Sequence, residues 1–387
     1  MARALVTGTA AILVIAAAVF GMVIAAHKPR PGAPVIEVSN ARCGHGWTPG
    51  PAGPQTLRLR DTGGQPADVQ LVEPASGAVA GEIEALGPDA VRALRVDLGP
   101  GTYALRCRLE GDDPVTGPRV RVTGSARGGP AVRPVTYNDL YGPARAYQKL
   151  VTARLDPLVT KVDRLRDAIR AGDRGAARDA WLPAHMAYES LGGAYGAFGD
   201  LGDRIDGLPR PDGDGGVDEK DFTGFHRVER GLWHDESLTA LRGPADALAD
   251  DVRELRGQFP DERIDPLDLG LRAHEIFEDA ARVELTGQSD QGSGTALATV
   301  SANLAGTRDV LSVLRPLLRS RYPGGLRGLD AALDRTDRVL SAHDHDGHWT
   351  ALDDLSAADR RRVNGAVAGA LERLAPVAEI CAPRRVS

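Results

Sequence analysis

The sequence predicts a two-domain protein, an N-terminal all-β sandwich and a C-terminal all-α helical bundle, preceded by one transmembrane or signal helix. Three observations predict it. The 387 residues exceed one ordinary core. Residues 4–26 carry no charge. Past residue 134 the hydrophobic period changes from two to about 3.6. The expected boundaries are 1–30 for the apolar segment, 34–124 for the sandwich and 137–384 for the bundle.

The apolar segment follows Arg3 and is followed by His27, Lys28 and Arg30. About 20 apolar residues span a bilayer. The stretch is long for a cleaved signal, although Ala25-Ala26 would serve as a cleavage site, so an uncleaved anchor is favoured. The membrane is thus an expected partner, with the chain anchored or exported at the extracytoplasmic face of the cytoplasmic membrane. Residues 27–33 form a Pro-rich spacer. The composition, 42% hydrophobic and 26% charged, is that of a soluble globular protein. A net charge of −6 offers no basic face to nucleic acid.

Over residues 35–123 apolar residues alternate: Leu57 with Leu59, Val69 with Leu71, Leu94 with Val96 and Leu98, Val120 with Val122. Between them lie turns such as Asp61-Thr62-Gly63-Gly64 and Gly99-Pro100-Gly101, a spacing that fits a sandwich. Residues 124–134, rich in Gly, Arg and Pro, read as a linker. Helical stripes follow. Tyr147, Val151, Leu155, Leu158, Val162, Leu165 and Ile169 share one face, with a kink expected at Pro157. Further stripes run from Leu297 to Leu318, from Leu326 to Leu340 and from Val363 to Cys381. Such stripes are buried only by packing on one another, which makes a bundle. Residues 207–223, rich in Gly, Pro and Asp, read as a long connection, and connections of that length inside a bundle are usually functional.

That connection leads into Phe225-His226-Arg227-Val228-Glu229. His226 and Glu229, three apart on a helix, share a face. Imidazole and carboxylate together suit a borderline metal such as iron or zinc. The same spacing also serves an ordinary hydrogen-bonded helix pair. Upstream, His185 and Glu189 lie four apart, and Asp200, Asp203 and Asp206 follow. Singly these read as solvated, salt-bridged helix ends. Together with His226 and Glu229 they would make a mixed nitrogen and oxygen site.

These residues resemble the imelysin-like proteins, and among them the EfeO-type extracytoplasmic components of bacterial iron-uptake systems. The resemblance rests on Trp181-Leu182-Pro183-Ala184-His185 with Tyr188-Glu189, on Phe198-Gly199-Asp200 with Ile205-Asp206-Gly207, and above all on Thr223-Gly224-Phe225-His226-Arg227-Val228-Glu229 before Leu232-Trp233. Further matches are His274-Glu275-Ile276-Phe277-Glu278, Leu285-Thr286-Gly287 and Asn303-Leu304-Ala305-Gly306. The resemblance spans residues 137–381. It implies a bundle of two related halves and a metal site of Glu189, Asp206, His226 and Glu229, with Asp200, Asp203 and His185 as further candidates. It implies iron, ferric or ferrous, with zinc as the alternative. It also implies delivery to a membrane iron permease and a haem peroxidase as a further partner. Relatives often carry Asp-Leu-Asp where this chain has Asp200-Leu201-Gly202, so one acid is missing.

The first domain resembles the cupredoxin-like module of the longer relatives, chiefly through Pro100-Gly101-Thr102-Tyr103-Ala104-Leu105-Arg106-Cys107. Blue copper needs two His and a weak axial ligand with the Cys. No His or Met follows Cys107 closely, so copper is not expected. Cys43 and Cys107 form either a disulfide, which export favours, or a thiolate metal site with Asp68 or His45. Cys381 continues a helical stripe and reads as a packing thiol. The run from His343 to His348 reads as a loop between helices. His274 with Glu275 and Glu278 reads as a surface group. Binding rather than catalysis is expected. The rival readings are an imelysin-type metallopeptidase, for which the His-Glu-x-x-His arrangement is absent, and a metal-free structural adaptor.

Overall fold

The computed structural model describes residues 34–109, 112–129, 131–211, 217–218 and 222–382. They fall into two compact units that divide between Arg133 and Pro134.

The first unit is a two-sheet sandwich. Its strands are β1 (Val35–Val38), β2 (Gly53–Asp61), β3 (Ala67–Glu73), β4 (Ala78–Leu86), β5 (Val91–Leu98), β6 (Gly101–Leu109), β7 (Val115–Thr116) and β8 (Val120–Val122). One sheet has the order β1-β2-β5 and the other β4-β3-β6-β7, with β8 also paired to β6. The first pair, β1 on β2, is parallel. Because successive side chains point to opposite faces, Leu57, Leu59, Leu94, Val96 and Leu98 of one sheet meet Val69, Leu71, Tyr103, Leu105 and Cys107 of the other in one core. A disulfide between Cys43 and Cys107, with Cα atoms 5.8 Å apart, ties the turn after β1 to β6. Val69 lies opposite Cys107 in the ladder, so its neighbour Asp68 points to the other face. There Asp68 pairs with Arg108 at 2.6 Å and accepts from Ala85 N at 3.0 Å. His45 is exposed.

The second unit opens with α1 (Tyr137–Ala171), which is capped reciprocally by Thr136 and Asp139 and closed by Gly172 in the left-handed conformation, a full set of start and stop signals. It runs unbroken through Pro157. Then come α2 (Arg174–Glu189), α3 (Asp200–Ile205), α4 (Gly224–Trp233), α5 (Leu238–Gln258), α6 (Asp268–Arg282), α7 (Ala296–Arg321), α8 (Leu326–Ser341) and α9 (Ala357–Cys381). The contacts form two sets: α1 packs on α2 and α5, α4 on α5, α6 on α7 and α9, and α8 on α9, while α7 also meets α1 and α2. One core joins them, with Tyr147, Trp181, Phe225, Phe259 and Phe277 fully inside. Where α6 crosses α9, Gly270 admits Cys381: a Cβ at Gly270 would lie 2.2 Å from the Cys381 Cβ. Thr336 Oγ1, buried on α8, donates to the Ala366 carbonyl of α9 at 3.1 Å.

The expected fold class is corrected in three respects. The second unit is not all-α. It carries two β-ribbons, β9 (Arg210–Pro211) with β10 (Val217–Asp218) and β11 (Asp344–His345) with β12 (His348–Trp349). It also has 3-10 turns at Gly192–Ala197, Phe259–Asp261, Glu284–Thr286 and Leu352–Asp354. The physical reason is plain at β11 and β12: Asp346 and Gly347 both have positive φ, 56° and 89°, the two-residue turn that folds a hairpin. Second, among the described residues no helix is long and apolar enough to cross a membrane. The apolar segment 4–26 lies outside the described residues. Third, the structure supports no more than a two-sheet sandwich for the β unit, in which Cys107 is joined to Cys43 and offers no thiolate to a metal.

Candidate metal centre

The site is assembled where α2, α3 and α4 converge. Trp181 stacks on His185, with ring centres 4.7 Å apart, and its Nε1 donates to the Phe225 carbonyl at 3.0 Å, fixing α2 against α4. The C-terminal carbonyls of α4 are capped by arginines from α2. Arg174 donates to Leu232 O at 3.0 Å and Arg178 to the same oxygen at 2.6 Å, satisfying groups a helix end leaves open. The start of α4 is pinned to α3. Thr223 Oγ1 donates to the Arg204 carbonyl at 2.9 Å. Gly224, at φ +70°, approaches so closely that a Cβ there would lie 1.9 Å from Ile205 O. Only glycine tolerates both demands. The approach brings Asp206, at the C-terminal end of α3, onto His226, the third residue of α4.

His185 Nε2 lies 3.4 Å from Glu189 Oε1 and 3.6 Å from Asp206 Oδ1. His226 Nε2 lies 3.4 Å from the same Asp206 oxygen. Ligand atoms of His185, Asp206 and His226 all fall within 4.8 Å of one another. Two atoms each about 2.1 Å from a tetrahedral first-row ion are about 3.4 Å apart, which is the spacing seen. Both ring nitrogens of His185 and Oδ1 of Asp206 are buried without a hydrogen-bond partner. Buried polar atoms are seldom left so, and these converge. The donor set of two imidazoles and carboxylates fits iron or zinc.

Glu229 has a different place. Its Oε2 meets His226 Nδ1 at 3.2 Å, and its Oε1 accepts from Gln291 N at 3.0 Å and Ser293 N at 3.1 Å. It therefore orients the ring from behind, as carboxylates do for metal-binding histidines. With its amide turned so that nitrogen rather than oxygen faces Glu189, Asn303 donates to Oε2 at 2.9 Å and to the Glu189 carbonyl at 3.3 Å. A small cavity of about 10 Å³, room for about one water-sized particle, is lined by His185, His226, Glu229, Glu284 and Ser289 among others. His185, Glu189, His226 and Glu229 are 2%, 6%, 4% and 1% exposed.

The fields follow from the geometry. Burial disfavours charge on His185, but Asp206 and Glu189 outweigh it and raise its pKa well above the ordinary value. His226 is raised in the same way, burial being overcome by Asp206 and Glu229. Burial opposes ionisation of Asp206, yet the two imidazoles hold it down to about 2. Glu189 is raised by burial and by Asp206. Burial opposes ionisation of Glu229, but His226 and the Ser293 side chain outweigh it and lower its pKa. Glu284 is pushed up to about 7 by burial and by Glu189.

Of the expected residues, His185, Glu189, Asp206, His226 and Glu229 come together. Asp200 and Asp203 do not join them; both are exposed on α3. Asp68 is not beside the Cys43 and Cys107 sulfurs. Sequence reasoning missed Glu284, Asn303 and the amides of residues 291 and 293. Asn303 lies in the matched run Asn303-Leu304-Ala305-Gly306, which assigns it no role, and the others carry no local motif; all come from segments more than 50 residues beyond His226.

The sequence profile of the imelysin family (Peptidase M75) matches residues 143–377. The chain is similar to the iron uptake system component EfeO of Yersinia pseudotuberculosis, 29% identical over 294 residues, which cover 76% of this chain and 77% of that one. It is similar in the same measure to EfeO of Escherichia coli K12, 29% identical over 296 residues, covering 76% and 77%. A crystal structure of a protein assigned as an iron-regulated protein A precursor, from Parabacteroides distasonis, superposes with a TM-score of 0.50 at 13% identity. It covers 64% of this chain and 96% of its own, and shows a shared fold alone.

Proposed function

The chain belongs to the imelysin family, and from that premise we propose that it is an extracytoplasmic iron-binding component of an iron-uptake system, which takes up the ion at His185, Asp206, His226 and Glu189 and passes it to a membrane permease. The observation that carries the reading is the convergence of unpartnered buried donors, His185 Nδ1 and Nε2 and Asp206 Oδ1, at ligand spacing. The similar proteins are named as iron uptake system components, a name that implies further components, and the permease and a haem peroxidase are the partners this reading assigns. A hydrolytic metal site keeps an open position for water and substrate, whereas His185, Glu189 and His226 are buried and Asp206 alone of the four is partly exposed. The role is binding and transfer, not catalysis. The disulfide of the first unit supports export, since such bonds persist in oxidising compartments.

Ion capture requires the imidazoles to give up protons, so binding releases protons to solvent. Glu229 holds His226 with its Nδ1 turned away from the ion, leaving Nε2 to face Asp206. Carboxylate and imidazole ligands exchange more readily than a thiolate cage, as transfer to a second protein demands. The test is calorimetric titration of the protein with ferrous ion, chelated ferric ion and zinc, alongside His226→Ala and Asp206→Asn. Saturable iron binding that both substitutions remove is the expected result. Iron binding unchanged by both would sink the site assignment, and a parent protein that binds no iron would leave a metal-free adaptor in its place.

A further inference from the structure

We propose that Asn303 is a positioning residue of the metal centre, which limits Glu189 to one oxygen on the ion and so sets the coordination number the site allows. The inference rests on the metal-binding reading above and deepens it. Glu189 is the last residue of α2, where a helix leaves its final carbonyls without intrahelical partners. Its carboxylate turns on a terminal torsion that has no sharp staggered wells, so a group outside the helix must fix it. Asn303 does this from α7. One amide nitrogen gives both its hydrogens to the same residue, one to Glu189 Oε2 at 2.9 Å and one to the Glu189 carbonyl at 3.3 Å. A metal-bound carboxylate only accepts hydrogen bonds, so in the loaded site the NH₂ of Asn303, not its oxygen, must face Glu189. Both residues are buried, which shields the clamp from solvent.

The packing of α7 on α2 places the clamp. At Gly306, one turn beyond Asn303, a Cβ would lie 2.7 Å from Ser190 O. The missing side chain lets α7 close on the residue that follows Glu189. The outcome is a division between the two carboxylate oxygens. Oε1 lies 3.4 Å from His185 Nε2, while Oε2 is held by Asn303. Glu189 stands outside the group of His185, Asp206 and His226, whose ligand atoms lie within 4.8 Å of one another, and so reaches the ion from one side. Two imidazole nitrogens and one oxygen each from Asp206 and Glu189 then face the ion, a set of four that suits tetrahedral binding. Without Asn303, Glu189 is free to turn Oε2 inward and bind through both oxygens, as carboxylates do at roomier sites. That adds a fifth donor.

The test is the visible spectrum of cobalt(II), a stand-in for zinc or ferrous ion, at saturation in the protein and in Asn303→Leu, a substitution of similar size that donates nothing. Bound cobalt absorbs strongly when four-coordinate and weakly at higher coordination, so its bands report geometry. The parent should show the strong bands, and Asn303→Leu a several-fold loss of intensity with cobalt still bound. The parent's spectrum in the variant overturns the inference and leaves the metal centre intact, as do weak bands in the parent. Asn303→Thr, too short to reach Glu189, should show the same loss and serves if the leucine variant does not fold. Folded variants that bind no cobalt would make Asn303 essential to the site as a whole, which overturns the assignment of coordination number. A parent that binds no cobalt removes the metal-binding reading itself, and this inference with it.

Discussion

Replacing Glu229 by glutamine should weaken iron binding without dismantling the site. Glu229 makes two kinds of contact: Oε1 with the amides of Gln291 and Ser293 and Oε2 with His226 Nδ1. A glutamine oxygen can keep the two amide bonds. Its NH₂ then faces His226 Nδ1 and must donate to it. This forces the ring into the tautomer protonated at Nε2, the nitrogen that faces Asp206 at 3.4 Å. The ligand atom now carries a proton that the ion must displace. Disturbing such a supporting carboxylate typically lowers metal affinity about 10- to 100-fold, or about 1.4 to 2.8 kcal/mol at 1.4 kcal/mol per decade. Because the loop amides stay satisfied, the ion-free protein should melt within a few degrees of the parent, about 1 kcal/mol or less. The assay is ferric titration paired with a thermal melt. Affinity within about threefold of the parent would refute the tautomer argument. A loss as complete as that of His226→Ala would instead make Glu229 a direct ligand.

Reduction or Cys43→Ser should destabilise the first unit. The closed loop of 64 residues corresponds to about 4 kcal/mol of chain entropy, to be read from urea denaturation with and without reductant. On α8, Asp330 receives two bonds from Arg315 at 2.6 and 3.0 Å, and these lower its pKa below the ordinary 3.8. A depressed carboxylate adds stability above its unfolded pKa and loses it as pH falls through the folded value. The pair is substantially exposed, so Asp330→Asn should cost no more than about 1 kcal/mol at neutral pH. The difference from the parent should close as pH falls below 3.8; a gap that persists in acid would refute the assignment.

Much of this architecture is legible because periodicity is a direct record of burial. The stripe from Tyr147 to Ile169 is the buried face of α1, and the alternation around Leu57 and Leu94 is the sandwich core. The pair His226 and Glu229 is legible as a shared helix face, but its division of labour is not. Which way the Glu229 carboxylate turns depends on the amides of residues 291 and 293, and backbone donors leave no trace in side-chain identity. His185 is ranked below Glu229 by sequence alone, yet the Trp181 bond to the Phe225 carbonyl, which holds α2 against α4, places it at the centre. Asp200 and Asp203 look equivalent to Asp206 in sequence. The single turn of α3 separates them, since only its C-terminal end is pressed against α4. Glu284 enters from a turn that no helical period predicts. At Asp346-Gly347 the hairpin signal is present in the sequence, and reading it as a loop overlooked a known turn chemistry.

The disulfide has a practical consequence for work on this protein. The chain has three cysteines; two are joined, and Cys381 is buried against Gly270, with burial pushing its thiol up to about 12. No thiolate is therefore offered to solvent, and thiol reactivity follows the thiolate. One cysteine introduced on an exposed face of α3 or on the β11 to β12 hairpin would be the sole target of a maleimide dye, which permits a fluorescent reporter of ion uptake with no background labelling to remove.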